Sequence, residues 1–133
     1  MYKPKTMLIC KLCGDEIYSH SSGEFRACKC GAIFIDETEY YCRMGKDITN
    51  IKERNIDERD FIWTVLGGNE IKIRDLEVSH MKNILIYLED LMEKNRRYYT
   101  LINMENKANK LEYGYMYYAI KNEIILREVI KYV

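Results

Sequence analysis

Apolar and polar positions alternate most clearly between Phe61 and Arg74. Phe61, Trp63 and Val65 fall on one face of a strand over Phe61–Leu66, and Ile71 and Ile73 fall on one face of a return strand over Glu70–Arg74. Gly67-Gly68-Asn69 stands between them, which predicts a β-hairpin. A lone hairpin is marginal in water, and the next stretch supplies its support. After Ser79, a candidate N-cap, Met81, Ile84, Leu85, Leu88, Leu91 and Met92 recur at helical spacing. This helix is expected to run past Tyr98 to about Ala108, with a break over Asn109–Gly114. A second helix, from about Tyr115 to Tyr132, would turn Ile120, Ile124, Leu126, Val129, Ile130 and Val133 inward. The expectation is an antiparallel helix pair with the hairpin laid against it.

Ahead of Phe61 the apolar runs are shorter. Met7–Ile9, Ile17–Tyr18, Phe25–Ala27 and Ala32–Ile35 read as brief strands, with Ser19–Gly23 as a polar turn and Met1–Thr6 as a loose entry. Tyr40, Tyr41 and Met44 fit one helical turn covering these strands, stopped by Gly45. Lys46–Asp60 has few apolar anchors. The chain of 133 residues therefore divides into a module over 1–45, a connection over 46–60 and a domain over 61–133, of α+β class.

Cysteine spacing changes the picture of the first module. Cys10-Lys11-Leu12-Cys13-Gly14 and Cys28-Lys29-Cys30-Gly31 each place two thiols beside a glycine that lets the chain bend tightly. Two such turns at the ends of a short hairpin make a zinc ribbon, with one structural Zn²⁺ held by Cys10, Cys13, Cys28 and Cys30. The second pair has one intervening residue rather than two, and the spacer is slightly short. His20 or Cys42 could therefore replace Cys28 or Cys30. Two disulfides, the competing reading, are disfavoured by the odd total of five cysteines and by the lack of a leader sequence. So small a module cannot stabilise itself by burial alone, and the metal would supply the missing folding energy. Reduced cysteines point to the cytosol.

With 47% hydrophobic and 32% charged residues the composition is that of a soluble protein, and no apolar run is long enough to span a membrane. Lys+Arg and Asp+Glu are both 21, and no segment is strongly basic. Direct nucleic-acid binding, which rests on a basic surface, is therefore not expected. No nucleophile elbow, phosphate loop or His-Glu-x-x-His appears. His80, with Asp75 and Glu77 upstream, could serve a metal-dependent nuclease but reads better as a surface imidazole. The expectation is a protein without enzymatic activity.

Tyrosine is over-supplied, with twelve copies. Tyr98, Tyr99, Tyr113, Tyr115 and Tyr117, with Arg96 and Arg97 close by, are the candidate partner-binding residues, since Tyr and Arg dominate binding hot spots.

Two stretches resemble small proteins of phages and related mobile elements. The run from Cys10 to Gly14, followed by Cys28 through Asp36, looks like an N-terminal zinc-ribbon module found in such proteins. Trp63-Thr64 through Gly68, Ile71 through Leu76 and His80 through Leu85 are similar to a hairpin-then-helix module common there. Small phage proteins of this sort include inhibitors of host defence, among them anti-CRISPR proteins acting on type II effector nucleases. The resemblance implies a partner protein in the host cytosol, a CRISPR effector nuclease, bound through a protein–protein interface. The alternative is a nucleic-acid-binding zinc-ribbon accessory protein.

Overall fold

The computed structural model describes residues 2–65, 67–101 and 114–130, and the side chains of all of these except 97–101. The fold is α+β. The chain divides into two compact units, Tyr2–Ile56 and the part from Asp57 onward.

The first unit contains two three-stranded antiparallel sheets. In one, β1 (Thr6–Cys10) is central between β2 (Glu16–Ile17) and β6 (Ile51–Asn55). In the other, β4 (Ile33–Glu37) is central between β3 (Glu24–Ala27) and β5 (Cys42–Lys46). The central strands are the most apolar, as strands covered on one face must be. Leu8, Cys10, Ile17, Cys28, Ile33 and Ile35 form one buried cluster, with Ala32, Met44 and Ile51 packed against it.

Four expectations for this unit are corrected. Tyr40, Tyr41 and Met44 do not form a helical turn: Cys42–Lys46 is strand β5, only Met44 joins the core, and Tyr40 is 91% exposed. Gly45 does not stop a helix. It leaves room for the Phe34 ring, which a Cβ there would meet at 3.1 Å. Residues 46–60 are not a connection, because Ile51–Asn55 pairs with β1 along its whole length, from Thr6↔Asn55 to Cys10↔Ile51. Backbone bonding holds this charged edge strand, so it needs little apolar signal. Ser19, His20 and Ser21 are buried rather than exposed in a turn, and the N-terminal entry is fixed. The Tyr2 hydroxyl donates to the Ser19 carbonyl at 2.7 Å, while the buried Glu37 carboxylate accepts from the Lys5 N–H at 2.9 Å.

The second unit carries the hairpin, β7 (Ile62–Thr64) with β8 (Glu70–Lys72), and the helices α1 (Val78–Leu101) and α2 (Gly114–Ile130), which pack on each other. Phe61, Ile73, Leu76, Met81, Ile84, Leu88, Tyr115, Met116, Ala119 and Ile120 form its interior. Trp63 is half-buried, its ring edge-on to Tyr87 of α1 at 6.3 Å. Ser79 does not cap α1: the first helical bond runs from the Met81 N–H to the Glu77 carbonyl, placing Ser79 inside the first turn. The inner face of α2 is Tyr115, Met116, Ala119, Ile120 and Glu123, whereas Leu126, Val129 and Ile130 are exposed. The expected continuation of α1 to Ala108 and most of the break at 109–114 lie outside the described residues.

Candidate metal centre

The four-cysteine site grows from two turns of matching construction. In the first, the chain leaves β1 at Cys10, and Gly14 takes a φ of 76°; in the second it enters β4 past Gly31, with a φ of 73°. These left-handed positions follow the second cysteine of each pair and suit glycine, which has no Cβ to clash there. The Cys10 N–H donates to the Asp15 carbonyl at 2.9 Å, and the Cys28 N–H to the Ile33 carbonyl at 3.1 Å, five residues on in both cases. The shorter cysteine spacing in the second turn is thus made up by one residue after the glycine. The Lys29 N–H donates to Asp15 Oδ2 at 3.0 Å, tying one turn to the other.

This geometry brings the Sγ atoms of Cys10, Cys13, Cys28 and Cys30 within 4.8 Å of one another. Cys10 and Cys30 are 3.6 Å apart, Cys28 and Cys30 3.5 Å. Sulfurs set tetrahedrally about 2.3 Å from a zinc ion would be about 3.8 Å apart, whereas a disulfide needs about 2.05 Å. The spacing therefore suits a metal held by four thiolates, and all five cysteines are free thiols. Cys10 and Cys28 are buried while Cys13 and Cys30 face solvent, so the cluster lies at the edge of the core.

Its electrostatics ask for a cation. Burial opposes ionisation of Cys28, but the Ile33 N–H and the surrounding thiols outweigh it and bring the thiol down to about 6. The N–H groups of Asp15 and Cys30 lower Cys13. The Ala32 N–H favours the Cys30 thiolate, yet its sulfur neighbours and burial drive that thiol up to about 12. Cys28 and Cys13 are lowered while Cys30 is raised, so ionisation at one sulfur is resisted once its neighbours carry charge, as like charges at this distance require. A divalent ion removes that conflict, and four thiolates leave it no open position for a substrate.

His20 and Cys42 stand outside the cluster. His20 stacks on Tyr18 at 4.2 Å between ring centres and accepts from Arg26 through Nδ1 at 3.1 Å. Burial and the Glu37 carboxylate push the Cys42 thiol up to about 11. His80 lines an open groove of about 590 Å³ with Trp63, Thr64, Val65, Asn83, Ile84 and Tyr87, which offers no carboxylate. Among the described residues the four cysteines are the one group of metal-ligating side chains gathered together.

Of the tyrosine and arginine positions, three have described side chains: Tyr115, Tyr117 and Arg96. Tyr115 is corrected outright: it is 3% exposed, edge-on to Phe61 at 5.0 Å, because the first turn of α2 closes the core. Tyr117 is half-buried, bonds Glu89 Oε1 at 2.9 Å and has Lys121 Nζ 4.7 Å from its ring centre. Arg96 is exposed and pairs with Glu93 at 2.6 Å. The side chains of Arg97, Tyr98 and Tyr99, and Tyr113 entirely, lie outside the described residues. Asp15 was missed as a brace between the turns, since nothing in its local spacing distinguishes it from a solvated acid.

Residues 5–46 match the model of a family described only as a domain of unknown function, DUF7695, and the match spans all four cysteines and β1 to β5. No curated protein and no solved structure matches the chain. Among the described residues, no helix is long and apolar enough to cross a membrane.

Proposed function

We propose that this protein is a non-catalytic inhibitor of a host defence nuclease, an anti-CRISPR-like binding protein built on a structural zinc. The observation that carries the scaffold reading is the closed four-thiol cluster, whose donor set favours Zn²⁺. The zinc would act on stability and shape: two short sheets joined at their ends by one ion make a stiff unit that loses little entropy on binding. The balanced charge, 21 basic and 21 acidic residues, disfavours both a DNA mimic and a dominant phosphate binder. The target class rests on the resemblance of the two sequence modules to small phage proteins, and the inhibitor would then act in the host cytosol. Binding would block guide-directed loading of DNA or a domain movement of the effector.

Titration against a purified type II effector nuclease tests this reading. Inhibition should saturate near one equivalent and depend on the metal-loaded protein. Inhibition far below one equivalent would indicate turnover and overturn the non-catalytic reading. Absence of binding to the nuclease, with tight salt-sensitive binding to nucleic acid alone, would replace it with an accessory role on nucleic acid.

A further inference from the structure

The buried face of α2 ends early. Tyr115, Met116, Ala119, Ile120 and Glu123 are buried, but none of residues 124–130 is. The helix still runs on for about two turns, and a helical end without tertiary packing is marginal in water. Its side chains there are not those of a solvated end. Ile125 is 58% exposed, Val129 55% and Leu126 38%, and Tyr118, two turns before Ile125, is 56% exposed.

Tyr118, Asn122, Ile125 and Val129 follow one another at steps of four, three and four residues. This alternation keeps all four on one stripe, about a third of a turn round the helix from its buried face, and it is the spacing of a seam between paired helices. Asn122 is the stripe's one amide position, and it donates to Glu58 Oε2 at 3.4 Å at the border. Lys121 and Glu128, both exposed, flank the stripe on one side, each just ahead of a seam residue. They are seven residues apart, and an axial rise of about 10 Å keeps them from pairing within one helix. Lys121 Nζ lies instead over the Tyr117 ring.

We propose that this stripe is a self-association surface, on which a second copy of the chain lays its own α2 antiparallel across a two-fold axis. The charges select this occupant. With Ile125 of one copy against Asn122 of the other, and Tyr118 against Val129, reversal of the helix carries Lys121 alongside Glu128 of the second copy. Two-fold symmetry forms that ion pair twice. In a parallel pair Lys121 would face Leu126 and find no carboxylate there. An aliphatic stripe flanked by one cation and one anion offers nothing to a phosphate backbone. The seam is short, so association is reversible at micromolar concentration. The proposal goes beyond the nuclease reading and does not depend on it.

The test is sedimentation equilibrium of the full-length, metal-loaded protein at concentrations from about 1 to 200 μM. The protein should pass from monomer to dimer across this range. Ile125→Asp, at an exposed position, should weaken the dimer at least tenfold and leave the urea midpoint of the monomer unchanged. Lys121→Glu and Glu128→Lys should each weaken self-association about tenfold, because each turns two attractions into two repulsions. Mixed in equal amounts, these two variants should recover the original affinity, since every pair between the copies is again opposite in charge. Apolar aggregation, or a dimer built on another face, gives no such recovery. Should Ile125→Asp disturb folding, the charge variants decide. A protein that stays monomeric to about 200 μM, a dimer that withstands Ile125→Asp, or no recovery on mixing would overturn the proposal.

Discussion

Replacing Glu123 with alanine removes the polar centre of the second unit. The Glu123 side chain is 1% exposed, yet it accepts from Arg59 Nε at 2.8 Å, Arg59 Nη2 at 3.2 Å and Arg127 Nε at 3.0 Å. Arg127, so aligned, donates onward to the carbonyls of Ile73, Arg74 and Leu76. One carboxylate thus ties α2 to the 3₁₀ turns Glu58–Asp60 and Ile73–Asp75. Breaking a fully buried pair from one side costs about 3–5 kcal/mol. The arginines are 40% and 24% exposed, so each can recover water and the upper end is not reached. Glu123→Ala should therefore destabilise the unit by about 2–4 kcal/mol, and Glu123→Gln, which keeps shape and an acceptor, by about 1–2 kcal/mol. Against a total stability of about 5–15 kcal/mol this is a large fraction. Trp63 is the only tryptophan and lies in this unit, so its fluorescence during urea unfolding reads the change directly. A shift below about 0.5 kcal/mol for the alanine variant would refute the clamp.

Three further outcomes are expected. Trp63→Ala should cost about 2 kcal/mol in the same urea assay, less than the 3–5 kcal/mol of a fully buried aromatic, since Trp63 is only half-buried; its native emission should be blue-shifted from that of the unfolded chain. Gly31→Ala should weaken metal binding and cost about 1–2 kcal/mol, because Gly31 sits at a φ of 73°, and a competition titration with a chelator would show it. Cys42, pushed up to about 11, should alkylate at least tenfold more slowly in the folded protein than in denaturant at pH 8. Because that thiol is raised in the folded state, it stabilises fully below the ordinary thiol value near 8.5, and that contribution disappears as pH rises towards about 11. Cys42→Ser should remove this part of the alkaline instability.

The cysteine turns could be read from sequence because their geometry is local: two thiols and a glycine within five residues fix where the sulfurs point. The hairpin and both helices were legible for the same reason, their periodicity being intrinsic to the segment. What escaped depends on partners far along the chain. Ile51–Asn55 has one apolar anchor and forms a strand because β1 offers it an edge. Ser19, His20 and Ser21 are buried because Tyr2, Glu24 and Glu37 meet their polar groups. Glu123 occupies a core position that the remote Arg59, together with Arg127 one turn on, makes tolerable, so sequence periodicity alone turns the apolar Leu126, Val129 and Ile130 inward in place of the true inner face. Tyr115 reads as a surface ring in the sequence because no local signal separates a tyrosine that packs on Phe61 from one that faces solvent.

The central claim, a metal held by Cys10, Cys13, Cys28 and Cys30, is tested most directly by native mass spectrometry with elemental analysis on protein purified without added metal. About one zinc per chain should be found, absent in Cys13→Ser, with the first unit unfolded in that variant because a structural zinc contributes roughly 10 kcal/mol or more. Metal-free, folded protein with two stoichiometric disulfides among these four cysteines would contradict the account.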